Sequence, residues 1–178
     1  MRTLSQFKPG ILLFVILFFS FGKPAASQSA ITSPEKHFGF IPGSDYNLFT
    51  YEELIDYLMK LDKASPMVKM EEIGVSPMGR KMYLVFISSE KNINNLPRLK
   101  EINRELALNP SLAEARRKEY ISEGKVFFLA TLSMHSTEVA PSQAAPLIAW
   151  QLVTTGDPLI KKYLDDVVYM MVPNHNPD

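Results

Sequence analysis

The segment KVFFLATLSMHSTE, residues 125–138, decides how this chain folds. It follows Gly124 as a near-continuous apolar run and then changes abruptly into a polar cluster. Runs of this kind are typical of β-strands that are buried on both faces of a sheet. A second run of the same character, VVYMMV, occupies residues 167–172. We therefore expect two buried strands, at 125–132 and 167–172.

The residues between these two strands favour helices. Residues 144–153 are predicted to form a helix entered through Pro141, with Pro146 close enough to the start to be tolerated in the first turn. A shorter helix is predicted from Asp157 to Leu164. Two apolar strands separated by helices indicate a right-handed crossover between parallel strands, which is the unit of α/β domains.

The first half of the chain contains a helix and a β-hairpin. Residues Thr50 to Glu53 form a capping box, which predicts a helix running to about Leu61. Residues 67–73 and 81–88 are predicted strands, joined by the turn Ser-Pro-Met-Gly at 76–79. Because this pair is most simply antiparallel, the predicted sheet is mixed.

Two other stretches are less regular. Residues 31–48 contain prolines, glycines and aromatics, which favour an ordered but irregular lead-in. Residues 96–123 are charged and contain leucines, and Pro110 divides them into two predicted amphipathic helices, with Ser111 capping the second. No repeat or low-complexity linker is present, so we expect one domain.

The composition excludes several classes of protein. The 178 residues are 46% hydrophobic, which is too apolar for intrinsic disorder of the whole chain. The 19 basic and 19 acidic residues cancel, so nothing indicates a nucleic-acid partner. The absence of cysteine excludes disulfide scaffolds, cysteine-ligated zinc and thiol nucleophiles. A metal site would have to use carboxylates and the histidines His37, His135 and His175.

The N-terminus has the features of a secretory signal peptide, predicted at residues 1–27. Arg2 and Lys8 precede an apolar run at 11–21, and small residues at 25–27 supply a cleavage site. This run is shorter than the roughly 20 residues that span a bilayer, so cleavage is favoured over an uncleaved membrane anchor. We expect a mature chain of residues 28–178 that is secreted or periplasmic and has no stable membrane span.

The polar cluster after the first buried strand is the candidate for chemistry. In open α/β sheets, ligands bind beyond the carboxyl ends of the strands, and His135 is placed there. Glu138 follows three residues later, so an imidazole and a carboxylate can reach one cation. Both ligand types suit zinc. The pair is a weak signal by itself, and the alternative is a loop histidine that only makes hydrogen bonds.

Three motifs occur in one order along the chain: GVSPMGRKM at 74–82, HSTEV at 135–139 and VPNHNPD at 172–178. Together they resemble the N-terminal part of zinc carboxypeptidases of the carboxypeptidase A type. The resemblance is closest to a bacterial secreted branch, with a helical pair inserted before the metal motif. It covers about residues 34–178.

The resemblance implies a fold, a cofactor and a reaction. The fold would be the family's α/β mixed sheet with helices on both faces, and His135 and Glu138 would be two of three protein ligands of a catalytic Zn2+. The reaction would be hydrolysis of a C-terminal peptide bond, or a related amide, by zinc-activated water. The partner would be a peptide or peptide-like substrate.

This chain departs from the family pattern in two ways. The position between the metal His and Glu, where digestive members have a substrate-contacting Arg, is Thr137. The third ligand, the carboxylate-binding Arg and the general-base Glu are expected beyond Asp178, so no catalytic residue is assigned within the chain. We therefore interpret the chain as an N-terminal part, incomplete at its C-terminus, with little or no activity alone.

Other polar residues have simpler interpretations. His175 follows the second buried strand and is interpreted as a loop histidine near the site, with a stand-in third ligand as the alternative. We expect Asp178 to cap or turn the chain, Arg80 to form a structural salt bridge and His37 to pack in the lead-in. No Gly-x-Ser-x-Gly elbow is present, which disfavours a serine hydrolase.

Two hypotheses of function remain. The first is a secreted zinc metallopeptidase, of which this is the N-terminal part. The alternative is a non-catalytic secreted binding module that retains the carboxypeptidase fold. The oligomeric state and the residue released stay open.

Overall fold

A four-stranded sheet organises the chain, with strands in the order β1-β2-β4-β3. The strands are β1 (Val68–Val75), β2 (Lys81–Ile87), β3 (Val126–Thr131) and β4 (Val167–Val172). The computed structural model describes residues 31–135 and 137–178. The predicted signal peptide therefore lies outside the described residues.

The strand directions make the sheet mixed, as predicted. β1 and β2 form the antiparallel hairpin, and β2 continues antiparallel to β4. β3 and β4 are parallel and pair in register from Val126 with Val167 to Thr131 with Val172. The two strands on either side of the crossover are therefore direct neighbours.

Helices cover both faces of this sheet. They are α1 (Pro34–Phe38), α2 (Tyr51–Ala64), α3 (Glu90–Asn94), α4 (Leu96–Leu108), α5 (Glu114–Glu123), α6 (Val139–Thr154) and α7 (Pro158–Asp166). Val85, Ile87 and Met171 face a core built with α2, α6 and α7. The alternate residues Phe86 and Val168 face the other way, against α3 and α4. The alternation follows from the two-residue period of a strand. The α/β fold class with helices on both faces is confirmed.

Local signals explain several helix boundaries. Thr50 and Glu53 form the predicted capping box, because the Thr50 hydroxyl accepts from the Glu53 amide and the Glu53 carboxylate accepts from the Thr50 amide. Asp157 caps α7, accepting from the Leu159 amide at 2.8 Å. Among residues 31–135 and 137–178, no helix combines the length and the apolar character needed to cross a bilayer.

The predicted burial of β3 on both faces is not seen in the described part of the chain. β3 is an edge strand of the described sheet, and the side chains of Val126, Phe128 and Leu129 are 64%, 56% and 53% exposed. Only β4, which lies between two strands, has the predicted central position. Burial of a strand depends on its neighbours, which an apolar run does not specify.

The helix predictions also need correction. The lead-in contains α1, which begins with the Ser33 cap and Pro34, and α3 precedes the predicted helical pair. Ser111 does not cap α5, because Ala113 occupies the N-cap position. Helix α6 begins at Val139 instead of 144, so Pro146 lies inside the helix rather than in the first turn.

Ser88 follows β2 at the end of the sheet that lies opposite the polar cluster. It joins β2 to the last part of the crossover. Its side chain is fully buried, and its hydroxyl lies 2.7 Å from the Leu164 carbonyl and 2.8 Å from the Val167 carbonyl. The Asn92 amide donates to the Ser88 hydroxyl at 3.0 Å. This network holds α7 and the start of β4 against β2.

The segment after β4 is tied to the turn of the β1–β2 hairpin. Asp178 accepts from the Ser76 hydroxyl at 2.6 Å and from the Met78 amide at 2.9 Å. Arg80 donates to the Pro177 carbonyl and lies 3.6 Å from the Glu52 carboxylate. Asp178 thus binds a distant turn, which differs from the cap or turn of its own segment that was expected, and Arg80 has the structural role expected for it. We call this group of Ser76, Met78, Arg80 and Asp178 the turn clamp.

We predict that Ser88→Ala lowers the free energy of unfolding by about 1–3 kcal/mol, because buried polar groups lose a hydrogen-bond partner. Urea denaturation followed by circular dichroism measures the change. Ser122→Ala, on the exposed surface of α5, is the control and should stay within about 0.5 kcal/mol of the natural chain. Equal stability of the two variants would contradict the role given to Ser88.

We predict that the contribution of the turn clamp to stability is lost in acid. The Ser76 hydroxyl, with the Met78 amide and Arg80, holds the pKa of the Asp178 carboxyl below its ordinary value of 3.8. A carboxyl with a depressed pKa stabilises the fold above that ordinary value, and the effect disappears as pH falls through the folded-state pKa. Asp178→Asn should therefore be less stable than the natural chain at pH 7, and the difference should shrink below about pH 4. A difference that stays constant in urea titrations from pH 7 to pH 3 would refute this.

Candidate metal centre

The candidate site lies where the parallel strands β3 and β4 end at the same edge of the sheet. Their pairing continues past the strands, since the Leu132 amide donates to the Val172 carbonyl at 3.0 Å. The His175 amide then donates to the Leu132 carbonyl at 2.7 Å. The segments that carry His135 and His175 therefore leave the sheet side by side.

His135 and Glu138 are brought together by a tight turn. The Glu138 amide donates to the His135 carbonyl at 2.9 Å, which closes the turn, and α6 begins at the next residue. Glu138 occupies the N-cap position of α6. The backbone of both residues is therefore held next to the carboxyl ends of β3 and β4.

The two side chains meet. His135 Nδ1 lies 2.8 Å from Glu138 Oε1, and the His135 amide donates to Glu138 Oε2 at 3.2 Å. The imidazole is 70% exposed and the carboxylate 49% exposed, so a solute can approach both. The hydrogen bonds from the His135 ring and amide lower the pKa of Glu138. The carboxylate is therefore charged at neutral pH.

This pair has the chemistry of a partial metal site. An imidazole nitrogen and a carboxylate oxygen are both zinc ligands, and they converge at one exposed point. Within residues 31–135 and 137–178, no group of three or more His, Cys, Asp or Glu side chains is placed to hold a metal. His175 is exposed at the same edge of the sheet and does not complete such a group.

His37, the remaining histidine of the chain, packs against aromatic residues. The centroid of the His37 ring lies 4.8 Å from that of Phe38 and 5.0 Å from that of Tyr57. The His37 side chain is 15% exposed. Thr137 is exposed within the turn.

The sequence alone did not identify Ser133 as part of this site. Its hydroxyl lies 2.5 Å from the Glu138 carbonyl and accepts from the Ser142 amide at 3.0 Å. Ser133 has a φ of 48°, which is unusual for any residue other than glycine. Its position between the strand and the polar cluster is the only sequence signal, and that signal does not distinguish it from its neighbours.

Comparison with known proteins identifies the family. The zinc carboxypeptidase family profile matches residues 54–178, which is more than half of the chain. No curated protein sequence matches the chain.

Solved carboxypeptidase structures share the fold. Carboxypeptidase A from Helicoverpa armigera is 21% identical with a TM-score of 0.50, and the match covers 74% of this chain and 25% of that one. Thrombin activatable fibrinolysis inhibitor is 13% identical with a TM-score of 0.54, covering 85% of this chain and 30% of its own. This chain thus spans between a quarter and a third of the length of these structures. With a mixed sheet of the same fold and a profile match across both strand ends, the chain belongs to the zinc carboxypeptidase family.

Proposed function

We propose that the full-length protein is a secreted zinc metallocarboxypeptidase, with His135 and Glu138 as two of its zinc ligands. The observation that carries this proposal is the 2.8 Å distance between His135 Nδ1 and Glu138 Oε1. The two side chains lie beyond the carboxyl end of β3, in a chain of the zinc carboxypeptidase family. The substrate is a peptide or peptide-like molecule with a free C-terminus.

The donor set fits zinc. A metal ion held by both side chains would replace the contact between His135 Nδ1 and Glu138 Oε1, and an imidazole that binds a metal through Nδ1 carries its hydrogen on Nε2. The lowered pKa of Glu138 keeps the carboxylate ionised at the pH where zinc binds. Exposure of both side chains leaves the cation a path from solvent.

The roles of the residues follow from these contacts. When bound, a catalytic zinc makes water nucleophilic at neutral pH and polarises a carbonyl group. His135 and Glu138 hold the ion at the sheet edge. The third ligand and the general base are expected beyond Asp178, from the family resemblance alone. Thr137 is uncharged, so it cannot contribute the positive charge of the Arg found at this position in digestive members.

We predict that His135→Ala and Glu138→Ala each remove most of the bound zinc from the full-length protein. Loss of a direct ligand should weaken binding by more than the roughly 10–100-fold typical of changes to groups around the ligands. Zinc content is measured by inductively coupled plasma mass spectrometry after gel filtration. Release of the C-terminal residue from peptide substrates is measured with and without a chelator.

His175→Ala is the matched control for His135→Ala, because both imidazoles are exposed at one edge of the sheet. We expect it to retain its zinc. Retention of zinc by the His135 and Glu138 variants would refute the ligand assignment. A protein that binds zinc through these residues but releases no C-terminal residue would instead support the non-catalytic binding module.

Secretion forms part of the same proposal and rests on the sequence of residues 1–27. We predict that the protein from its native host begins at Gln28, because small residues at 25–27 form the cleavage site. Intact-mass measurement of the purified protein and N-terminal sequencing test this. Recovery with Met1 in place from a membrane fraction would support an uncleaved anchor instead.

A further inference from the structure

Ser133 combines an unfavourable backbone conformation with a buried side chain. Its φ of 48° lies in the left-handed region, which costs little for glycine and more for residues with a Cβ atom. Its side chain nonetheless points inward, since only 7% of the residue is exposed. If the backbone conformation were the only requirement at this position, glycine would meet it better.

The Ser133 hydroxyl supplies what glycine lacks. A hydroxyl has one proton to donate and lone pairs to accept with. Here it donates to the Glu138 carbonyl at 2.5 Å and accepts from the Ser142 amide at 3.0 Å. One oxygen atom therefore links the end of β3, the turn of the candidate ligands and the first turn of α6.

These contacts restrain the backbone of Glu138 on both sides. Its amide donates to the His135 carbonyl at 2.9 Å, and its carbonyl accepts from Ser133. The Glu138 side chain extends from this restrained position to His135 Nδ1. The Ser133 hydroxyl itself is buried and engaged at both its donor and its acceptor, so it is not available as a nucleophile.

We propose that Ser133 is a positioning residue, whose hydroxyl holds Glu138 in the orientation in which it binds metal together with His135. This inference rests on the proposed function, since it takes those two residues as ligands. Groups that orient metal ligands typically change metal affinity by about 10–100-fold when removed.

The test compares Ser133→Ala and Ser133→Gly in the full-length protein. Both substitutions remove the hydroxyl, but only glycine adopts the left-handed backbone conformation without the steric cost of a Cβ atom. Zinc affinity is measured by competition with a chromophoric chelator, and the melting temperature of the metal-free protein is measured in parallel. We expect both variants to lose zinc affinity by about 10–100-fold, with Ser133→Gly melting at the higher temperature of the two.

Ser88→Ala is the matched control. Ser88 is also buried, and its hydroxyl also lies within hydrogen-bond distance of carbonyl groups next to a strand, but at the opposite end of the sheet. It should lower the melting temperature and leave zinc affinity unchanged. A loss of zinc affinity in Ser88→Ala that matches the losses in the Ser133 variants would mean that stability alone explains them, and would overturn the inference.

Two other results also overturn it. Natural affinity in Ser133→Gly would show that the backbone conformation matters and the hydroxyl does not. Natural affinity in both Ser133 variants, while His135→Ala and Glu138→Ala lose zinc, would refute the positioning role and leave the proposed function intact. Retention of zinc by the His135 and Glu138 variants would instead refute the ligand assignment itself.

Discussion

The parallel pairing of β3 with β4 is the interaction on which the rest of this structure depends. The pairing runs in register from Val126 with Val167 to Thr131 with Val172, and hydrogen bonds of Leu132 extend it past both strands. Because parallel strands end at the same edge, the polar segments that follow them emerge together. The crossover through α6 and α7 returns the chain so that β4 runs parallel to β3.

A second constraint acts on the segment that follows β4. Asp178 binds the hairpin turn through Ser76 and Met78, residues that precede it by 102 and 100 positions. The segment from Pro173 to Pro177 is thus held at its start by the sheet and at its end by the turn clamp. The clamp therefore fixes the course of the segment that carries His175.

Signals that are local in sequence predicted local structure well. The capping box at Thr50 and Glu53 marks the start of α2, and six apolar residues between Asp166 and Pro173 are the observed β4. The approach of His135 to Glu138 was also predictable, since a three-residue spacing across a turn brings two side chains together.

Features that depend on distant contacts were not predictable from sequence patterns. The apolar run of β3 predicted burial, which depends on the strands beside it, and β3 is the outer strand of the four described ones. Helix α6 starts earlier than predicted, and the Ser133 hydroxyl accepts from the Ser142 amide in its first turn. A helix with this external partner can begin before the position that Pro146 indicates, although Pro146 removes one hydrogen bond from its interior. The left-handed φ of Ser133 has no signature in composition or periodicity.

The hydrogen bonds of Ser133 also bear on the proposed metal site, whose two candidate ligands are exposed side chains. Exposed charged side chains usually lose much of their interaction energy to solvent and to conformational freedom. Here the backbone amide of His135 and its ring both bind the Glu138 carboxylate, while the Glu138 backbone is restrained by hydrogen bonds at its amide and carbonyl. The conformational entropy that a cation would otherwise have to remove on binding is therefore already reduced by the fold. Preorganisation of this kind would favour metal binding by the two proposed ligands, because less freedom is lost when the ion binds.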